Sequence, residues 1–267
     1  MGTLPEGEPV WGVTSLDNHL YLLRGNKSSE QIEVYDIDSC RLLRCFTVRG
    51  LAYDIVVCGH NRCAYVSDAS QNSVHRLALT TGAAIAHWPV YEQPYCLSVS
   101  TRYSVLVTCR RVGKIKEFSA GGKLLCEVVL PQDVCTLQRA VQLSSGELIL
   151  CHGDTGDPLH RVCLVGYDGR VVKSFGGSKG SGGQQMNAPA HMALDRNEFI
   201  FVTDVKNNRV LLLSPTLTYL RDVASRKQLQ WCPYRLSVDV KRRRLYVAVN
   251  EYKDGKFTVG RVTVVSM

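Results

Sequence analysis

One block of sequence recurs along this chain of 267 residues, and that recurrence limits the folds open to it more than any other feature. The block is an apolar strand, a short polar turn, a second apolar strand, a polar loop and a third strand. Its clearest copy is AHMALDRNEFIFVTDVKNNRVLLLSP, from Ala190 to Pro215. A second runs from Tyr53 to Leu79 and a third from Tyr234 to Val265. Three more divergent copies are also present. The second strand of each copy ends at Arg24, Asp68, Cys109, His152, Asp204 and Val249, at steps of 44, 41, 43, 52 and 45 residues. A step of that size suits one four-stranded blade of a propeller. The strands are rich in Val, Ile, Leu and Tyr, with Asp-Gly, Gly-Gly and Asn-Asn turns between them. Helical periodicity is almost absent, which disfavours βαβ units.

A single blade cannot bury both faces of its sheet, so each copy needs neighbours. The sequence therefore predicts an all-β, six-bladed β-propeller with four-stranded antiparallel blades. It forms one domain over residues 1–267, with blades at about 10–50, 51–93, 94–137, 138–186, 187–230 and 231–267. The residues before Trp11 include Pro5, Gly7 and Pro9. They are poor strand material, so the last blade is expected to be incomplete at three strands, or else the native chain to be longer at its start.

The step of 52 contains FGGSKGSGGQQMNAP, Phe175 to Pro189. No helix pattern follows its glycines and no GK[ST] is present, so it is read as an inter-blade connection, not a phosphate loop. Cys58-Gly-His60-Asn-Arg-Cys63 crosses a tight turn and is read as a turn, not a metal site. No nucleophile elbow and no spaced Ser/His/Asp set is present, so no catalytic residue is expected. The eleven cysteines form no CxxC pair, and the N-terminus has neither a basic region nor an apolar core. Reduced, mostly buried cysteines and a cytoplasmic location are expected. No apolar run is long enough to span a membrane. Asn26-Lys27-Ser28 is a glycosylation sequon that matters only in a secreted protein.

The segment from Phe175 to Pro215 resembles an NHL repeat. It has a Gly-rich lead-in, then Met186, Asn187 and Pro189, an apolar strand ending in Asp195, and Val202, Asp204, Asn207 or Asn208, and Arg209. The Asp68 block is a second match. In the other four copies Arg24, Cys109, His152 and Val249 stand where the family has aspartate. The chain is thus similar to the C-terminal propellers of tripartite-motif (TRIM) NHL proteins. Such propellers usually follow a RING domain, a B-box and a coiled coil. These 267 residues contain none of them, so ligase activity is not expected of this stretch. By that resemblance Asp204 with Arg209, and Asp68 with Arg76, are blade-stabilising pairs.

Lys and Arg number 32 against 24 Asp and Glu, a net charge of +8, which favours acidic partners. By analogy with the family, one face carries the loops after each second strand and before each first strand. That face is expected to hold Arg24, Lys27, Arg49, Arg110, Arg111, Lys114, Arg139, Lys206, Arg209, Arg235, Lys253 and Lys256. Its acidic company would be sparse: Asp54, Asp154, Asp157, Glu251 and Asp254. Tyr53, Tyr95, His191, Trp231 and Tyr234 are expected near the same mouth. Cations interleaved with aromatics suit single-stranded RNA, and Trp, Tyr and Arg equally suit a protein partner. The expectation is a non-enzymatic module binding RNA or protein, with protein recruitment for a ubiquitin-ligase-type protein as the alternative. No cofactor is expected. The Lys241-Arg242-Arg243-Arg244 turn is placed on the opposite face as a solvated turn.

Related propeller lyases and lactonases ring the channel with metal ligands. The matching positions here are read as Trp11, Asp54, Cys96, Ala140, His191 and Arg235. An arginine and a tryptophan in that ring argue against a metal centre or a metal-dependent enzyme.

Overall fold

A computed structural model describes residues 2–25 and 30–267; the Asn26 sequon and Lys27 lie outside the described residues. A two-residue strand, β1 (Gly2–Thr3), comes first. Blade one is β2 (Val10–Leu16), β3 (His19–Gly25), β4 (Glu30–Asp36) and β5 (Leu42–Val48). Blade two is β6 (Ala52–Cys58), β7 (Cys63–Asp68), β8 (Ser73–Ala78) and β9 (Ala84–Pro89). Blade three is β10 (Pro94–Val99), β11 (Val105–Cys109), β12 (Lys114–Phe118) and β13 (Leu124–Val129). Blade four is β14 (Leu137–Gln142), β15 (Leu148–His152), β16 (His160–Val165) and β17 (Val171–Gly177). Blade five is β18 (Pro189–Leu194), β19 (Ile200–Asp204), β20 (Arg209–Leu213) and β21 (Tyr219–Ala224). A one-turn helix, α1 (Arg226–Leu229), leads to blade six: β22 (Cys232–Asp239), β23 (Arg244–Lys253) and β24 (Lys256–Ser266). Each sheet is four-stranded and antiparallel, and the first strands of successive blades pack side by side around the central channel.

Radial packing explains the burial of each strand. The second strands are sandwiched between neighbouring blades. β7, β11, β15 and β19 are buried at every position, which is why they read as unbroken apolar runs. The outermost strands face solvent on one side. In β9 and β13 only Trp88 and Val128 are buried. The blade interfaces are filled accordingly: Tyr65 and Trp88 of blade two meet Leu97, Val107 and Phe118 of blade three in one apolar cluster. Large buried aromatics are the main apolar contribution at such a seam, each covering roughly 150–250 Å².

The strand ends that set the sequence period occupy one structural position. Arg24, Asp68, Cys109, His152, Asp204 and Val249 lie opposite Val10, Ala52, Pro94, Leu137, Pro189 and Pro233, the first residue of the first strand in five blades and the second in blade six. Just after that point every first strand shifts register through a bulge. A bulge adds a residue and re-aims the following side chains.

The last blade corrects the expectation of three strands. It is completed by β1, whose Gly2 and Thr3 pair with Val264 and Thr263 of β24. Gly7 exchanges two backbone hydrogen bonds with Gly260, at 3.1 and 2.9 Å. Two residues of strand suffice because side chains carry the rest of the closure. Arg24 is buried and donates to Pro5 O, Glu8 O and Gly260 O at 2.8–2.9 Å, and its Nε meets Glu33 at 2.7 Å. Asn250 exchanges hydrogen bonds with Val10 N and Val10 O, both 2.9 Å, joining blade six to blade one.

Candidate functional site

The six bulges build the channel mouth in two tiers. One residue past each of these paired positions come Trp11, Tyr53, Tyr95, Gln138, Ala190 and Tyr234. Two residues past it come Gly12, Asp54, Cys96, Arg139, His191 and Arg235. The second set corrects the expected ring by one position in two blades: Gly12 replaces Trp11 and Arg139 replaces Ala140. The extra bulge residue shifts the count where periodicity alone cannot show it. In three blades a hydroxyl just before the strand end steadies the bulge. Asp54 N donates to Ser67 Oγ, Cys96 N to Thr108 Oγ1 and His191 N to Thr203 Oγ1, at 2.9–3.0 Å. The signal was present in the sequence as Val-Ser-Asp, Val-Thr-Cys and Val-Thr-Asp.

The lower tier is buried and charged. Asp54 accepts from Arg139 at 3.1 Å and from Leu97 N at 2.9 Å, and Arg235 stands 3.8 Å away. Two guanidiniums therefore share one carboxylate. Arg235 is fully buried, and neither its Nε nor that of Arg139 has a hydrogen-bond partner. Asp54, Cys96 and His191 bring one ligand atom each within 4.8 Å of one another. They do not fit a metal ion, because both arginines already hold the carboxylate and repel a second cation. Burial also pushes the Cys96 thiol up to about 12 and holds His191 far below the usual imidazole range. Both are thus neutral at physiological pH.

The upper tier is aromatic. Tyr95 and Tyr234 bridge the channel through their hydroxyls, 2.7 Å apart. Tyr53 packs on Tyr95 at 5.5 Å between ring centroids. Trp11 meets Tyr234 at 5.9 Å and Phe257 at 5.7 Å, and Tyr252 continues the row, 5.3 Å from Phe257. Guanidiniums stack on the bridge: Arg110 lies 4.6 Å from the Tyr95 ring centre, and Arg235 4.2 Å from that of Tyr234. Above the bridge a cleft of about 530 Å³ opens between Tyr53, Tyr95, Arg110, Arg111, Thr155 and Tyr234.

The remaining candidates fall into three groups. Arg24 belongs to the ring closure, not to an open face. Its neighbours come from residues 5–8 and 260, which are remote in sequence. Several cations of the expected basic face are paired: Arg110 with Asp154, Lys114 with Glu92 and Glu127, and Arg209 with Asp222 as well as with its expected partner Asp204. The face therefore has more acidic company than expected, because Glu92, Glu127 and Asp222 reach it from loops and outer strands. Arg111 and Lys206 stay exposed without an ion pair among the described residues, Lys206 lying 5.3 Å from the Tyr252 ring centre. Trp231 is not among the clustered rings of the mouth; its indole packs under Arg261 at 4.4 Å.

The predicted blade pairs divide. Asp204 and Arg209 face each other directly, with Arg209 Nε 2.8 Å from the carboxylate. Asp68 takes His75 at 3.2 Å instead of Arg76, whose guanidinium donates to Ala120 O. Strand alternation decides this, since Ser73 opposes Asp68 and His75 shares its face. Arg209 and Asn207 also hold the Gly-rich connection, donating to the carbonyls of Gln185 and Gly180 at 2.8 Å. In the Cys58–Cys63 turn, His60 stacks on Tyr103 at 3.9 Å. The solvated-turn reading of residues 241–244 is corrected at Arg242, which crosses to Asp38 of blade one at 2.9 Å and ties blade six to it.

No protein-family model matches the chain, and no curated protein sequence matches it. Solved structures do. Streptogramin B lyase superposes with a TM-score of 0.66 at 13% identity, over 99% of this chain and 88% of that one. U3-55K gives 0.69 at 11% identity, over 100% and 98%. A protein of unknown function from Bacteroides thetaiotaomicron gives 0.71 at 11%, over 96% and 70%. Identities this low show the six-bladed fold alone, and a fold shared by a lyase and U3-55K does not fix an activity. No helix among the described residues is long and apolar enough to cross a membrane.

Proposed function

We propose that this chain is a non-enzymatic recognition module that docks a segment of a partner protein across its mouth. The NHL-like motifs at Asp68 and Asp204 support this reading, since tripartite-motif propellers of that kind are attached to ligase domains. The observation that carries it is the continuous aromatic floor formed by Trp11, Tyr53, Tyr95, Tyr234, Tyr252 and Phe257. Buried aromatics beside arginine are the usual energetic centres of protein interfaces. A binding role also fits the lower tier, where the carboxylate is taken up by two arginines and the thiol and imidazole are held neutral. Eleven free cysteines favour a reducing compartment such as the cytoplasm.

Selection of a displayed peptide library on the purified chain tests the proposal. Selected peptides are expected to lose at least about tenfold in affinity on Tyr252→Ala, a side chain more than half exposed, whose replacement leaves the core untouched. Peptides that bind the variant equally well would exclude the aromatic floor as the docking surface. RNA is the second reading, supported by Arg49, Arg111, Lys206, Lys253 and Lys256, which are exposed and without an ion pair among the described residues. It predicts affinity falling steeply with salt, with a slope reduced by Arg111→Glu. A flat salt dependence would remove it.

A further inference from the structure

The arginine stacked on the tyrosine bridge already has a carboxylate on it. Arg110 follows directly on β11 at the mouth, its guanidinium lies over the Tyr95 ring at 4.6 Å from the centre, and a terminal guanidinium nitrogen meets the Asp154 carboxylate. Asp154 sits in the loop between β15 and β16, where Thr155 N donates to its other oxygen at 2.7 Å. Both side chains line the cleft, and both stay partly open to solvent, 27% for Arg110 and 39% for Asp154. A pair so placed can exchange partners by side-chain rotation, with no change in the fold.

Two further observations give the cleft a preference for an anion. Beneath the bridge, Arg139 and Arg235 outnumber Asp54, and the fully buried Arg235 keeps an Nε without a partner. Their uncompensated charge acts on the mouth through a medium that screens it poorly. The bridge also leaves a donor. Each tyrosine carries one hydroxyl proton and only one is used between Tyr95 and Tyr234, so the other can be given to a ligand oxygen.

We propose that the cleft receives a carboxylate carried by a partner protein segment, an Asp or Glu side chain or a chain terminus. Asp154 is the internal carboxylate that holds Arg110 until the partner displaces it. This rests on the protein-docking reading above. A carboxylate is favoured over a nucleic-acid backbone because the resident ligand is itself a carboxylate. The cleft also continues into walls made by Ala188, Ala190, Val205 and Phe257, and of the cations lining it only Arg111 and Lys206 stand without an ion pair among the described residues, too few to follow a chain of phosphates.

The test is fluorescence anisotropy of a labelled tetraglutamate peptide on the full chain. Asp154→Asn removes the internal competitor and keeps an acceptor for Thr155 N. If Arg110 is free about a tenth of the time, that variant binds about tenfold more tightly. A gain of affinity cannot come from misfolding. Arg110→Gln is expected to lose at least about tenfold, with an unchanged thermal midpoint. Lys241→Gln with Arg243→Gln, on the opposite face, is expected to change nothing. Succinate should compete with the peptide at lower concentration than inorganic phosphate. The proposal is overturned if Asp154→Asn binds no tighter, if the opposite-face variant loses as much as Arg110→Gln, or if phosphate is the better competitor. Library peptides that depend on Tyr252 yet lack any acidic group would refute it and leave the docking reading intact.

Discussion

His152 shows how much one buried side chain can specify. It stands at the repeat's strand end, where the NHL pattern has aspartate. Its Nδ1 is 3.1 Å from Cys135 O, and its Nε2 accepts from Arg161 Nε at 3.0 Å. The first contact needs the proton on Nδ1 and the second forbids one on Nε2, so a single neutral tautomer fits. Burial first, and then the Arg161 charge, lower the imidazole from 6.5 to about 4. The unfolded chain therefore takes up the proton more readily than the folded one. The stability that this neutral imidazole provides is fully present above 6.5 and is lost as the pH falls toward 4. Glu30 acts in the opposite sense. Burial raises its carboxyl from 4.5 to about 7, so it costs stability as the pH rises through that window. Urea midpoints of His152→Gln and wild type, compared across pH, separate the two. The gap between them should narrow by about 3 kcal/mol between pH 7 and pH 4, and a constant gap would contradict a buried imidazole that resists protonation.

At the scale of elements, the repeat was legible because the strand ends that set its step share one register position against the first strands. What escaped the sequence has three physical causes. Bulges add a residue, so the channel ring slips by one at Gly12 and Arg139. Strand alternation, not sequence proximity, chooses His75 over Arg76 as the partner of Asp68. Closure joins residues more than two hundred positions apart, so Arg24 looks like a loop cation until Gly260 lies beside it. The closing segment is held more by Arg24 than by β1, and a prediction follows from that. Arg24→Ala should cost about 3 kcal/mol in a denaturant titration, the usual loss when one member of a buried charged network is removed. Removing residues 1–8 in the same background should then cost less than it does in the wild type, because the bonds from Arg24 to Pro5 O and Glu8 O are deleted by either change. Additive losses would show that arginine and segment act separately.

Taken whole, the molecule keeps its positive surplus near the axis as well as on the rim. Several cations counted as a loop-face patch are bound to Glu92, Glu127, Asp154, Asp204 or Asp222. Arg139 and Arg235, by contrast, carry excess charge into the channel. The +8 of the sequence is therefore a poor measure of how strongly the surface attracts a polyanion. It measures better how the mouth treats a single acidic group.

The antiparallel pairing of β1 with β24 places the two ends of the described chain side by side, Gly2 against Val264 and two residues from Ser266. A ring whose ends adjoin has no structurally privileged first blade. Joining the ends by a short Gly-Ser linker and cutting instead at the exposed turn between Thr80 and Thr81 should return the same six sheets in a different order of synthesis. Such a permutant is expected to keep the wild-type circular dichroism spectrum and a cooperative melt. It would also no longer need Arg24 to hold a free end in place, so Arg24→Ala should cost it less than it costs the native order.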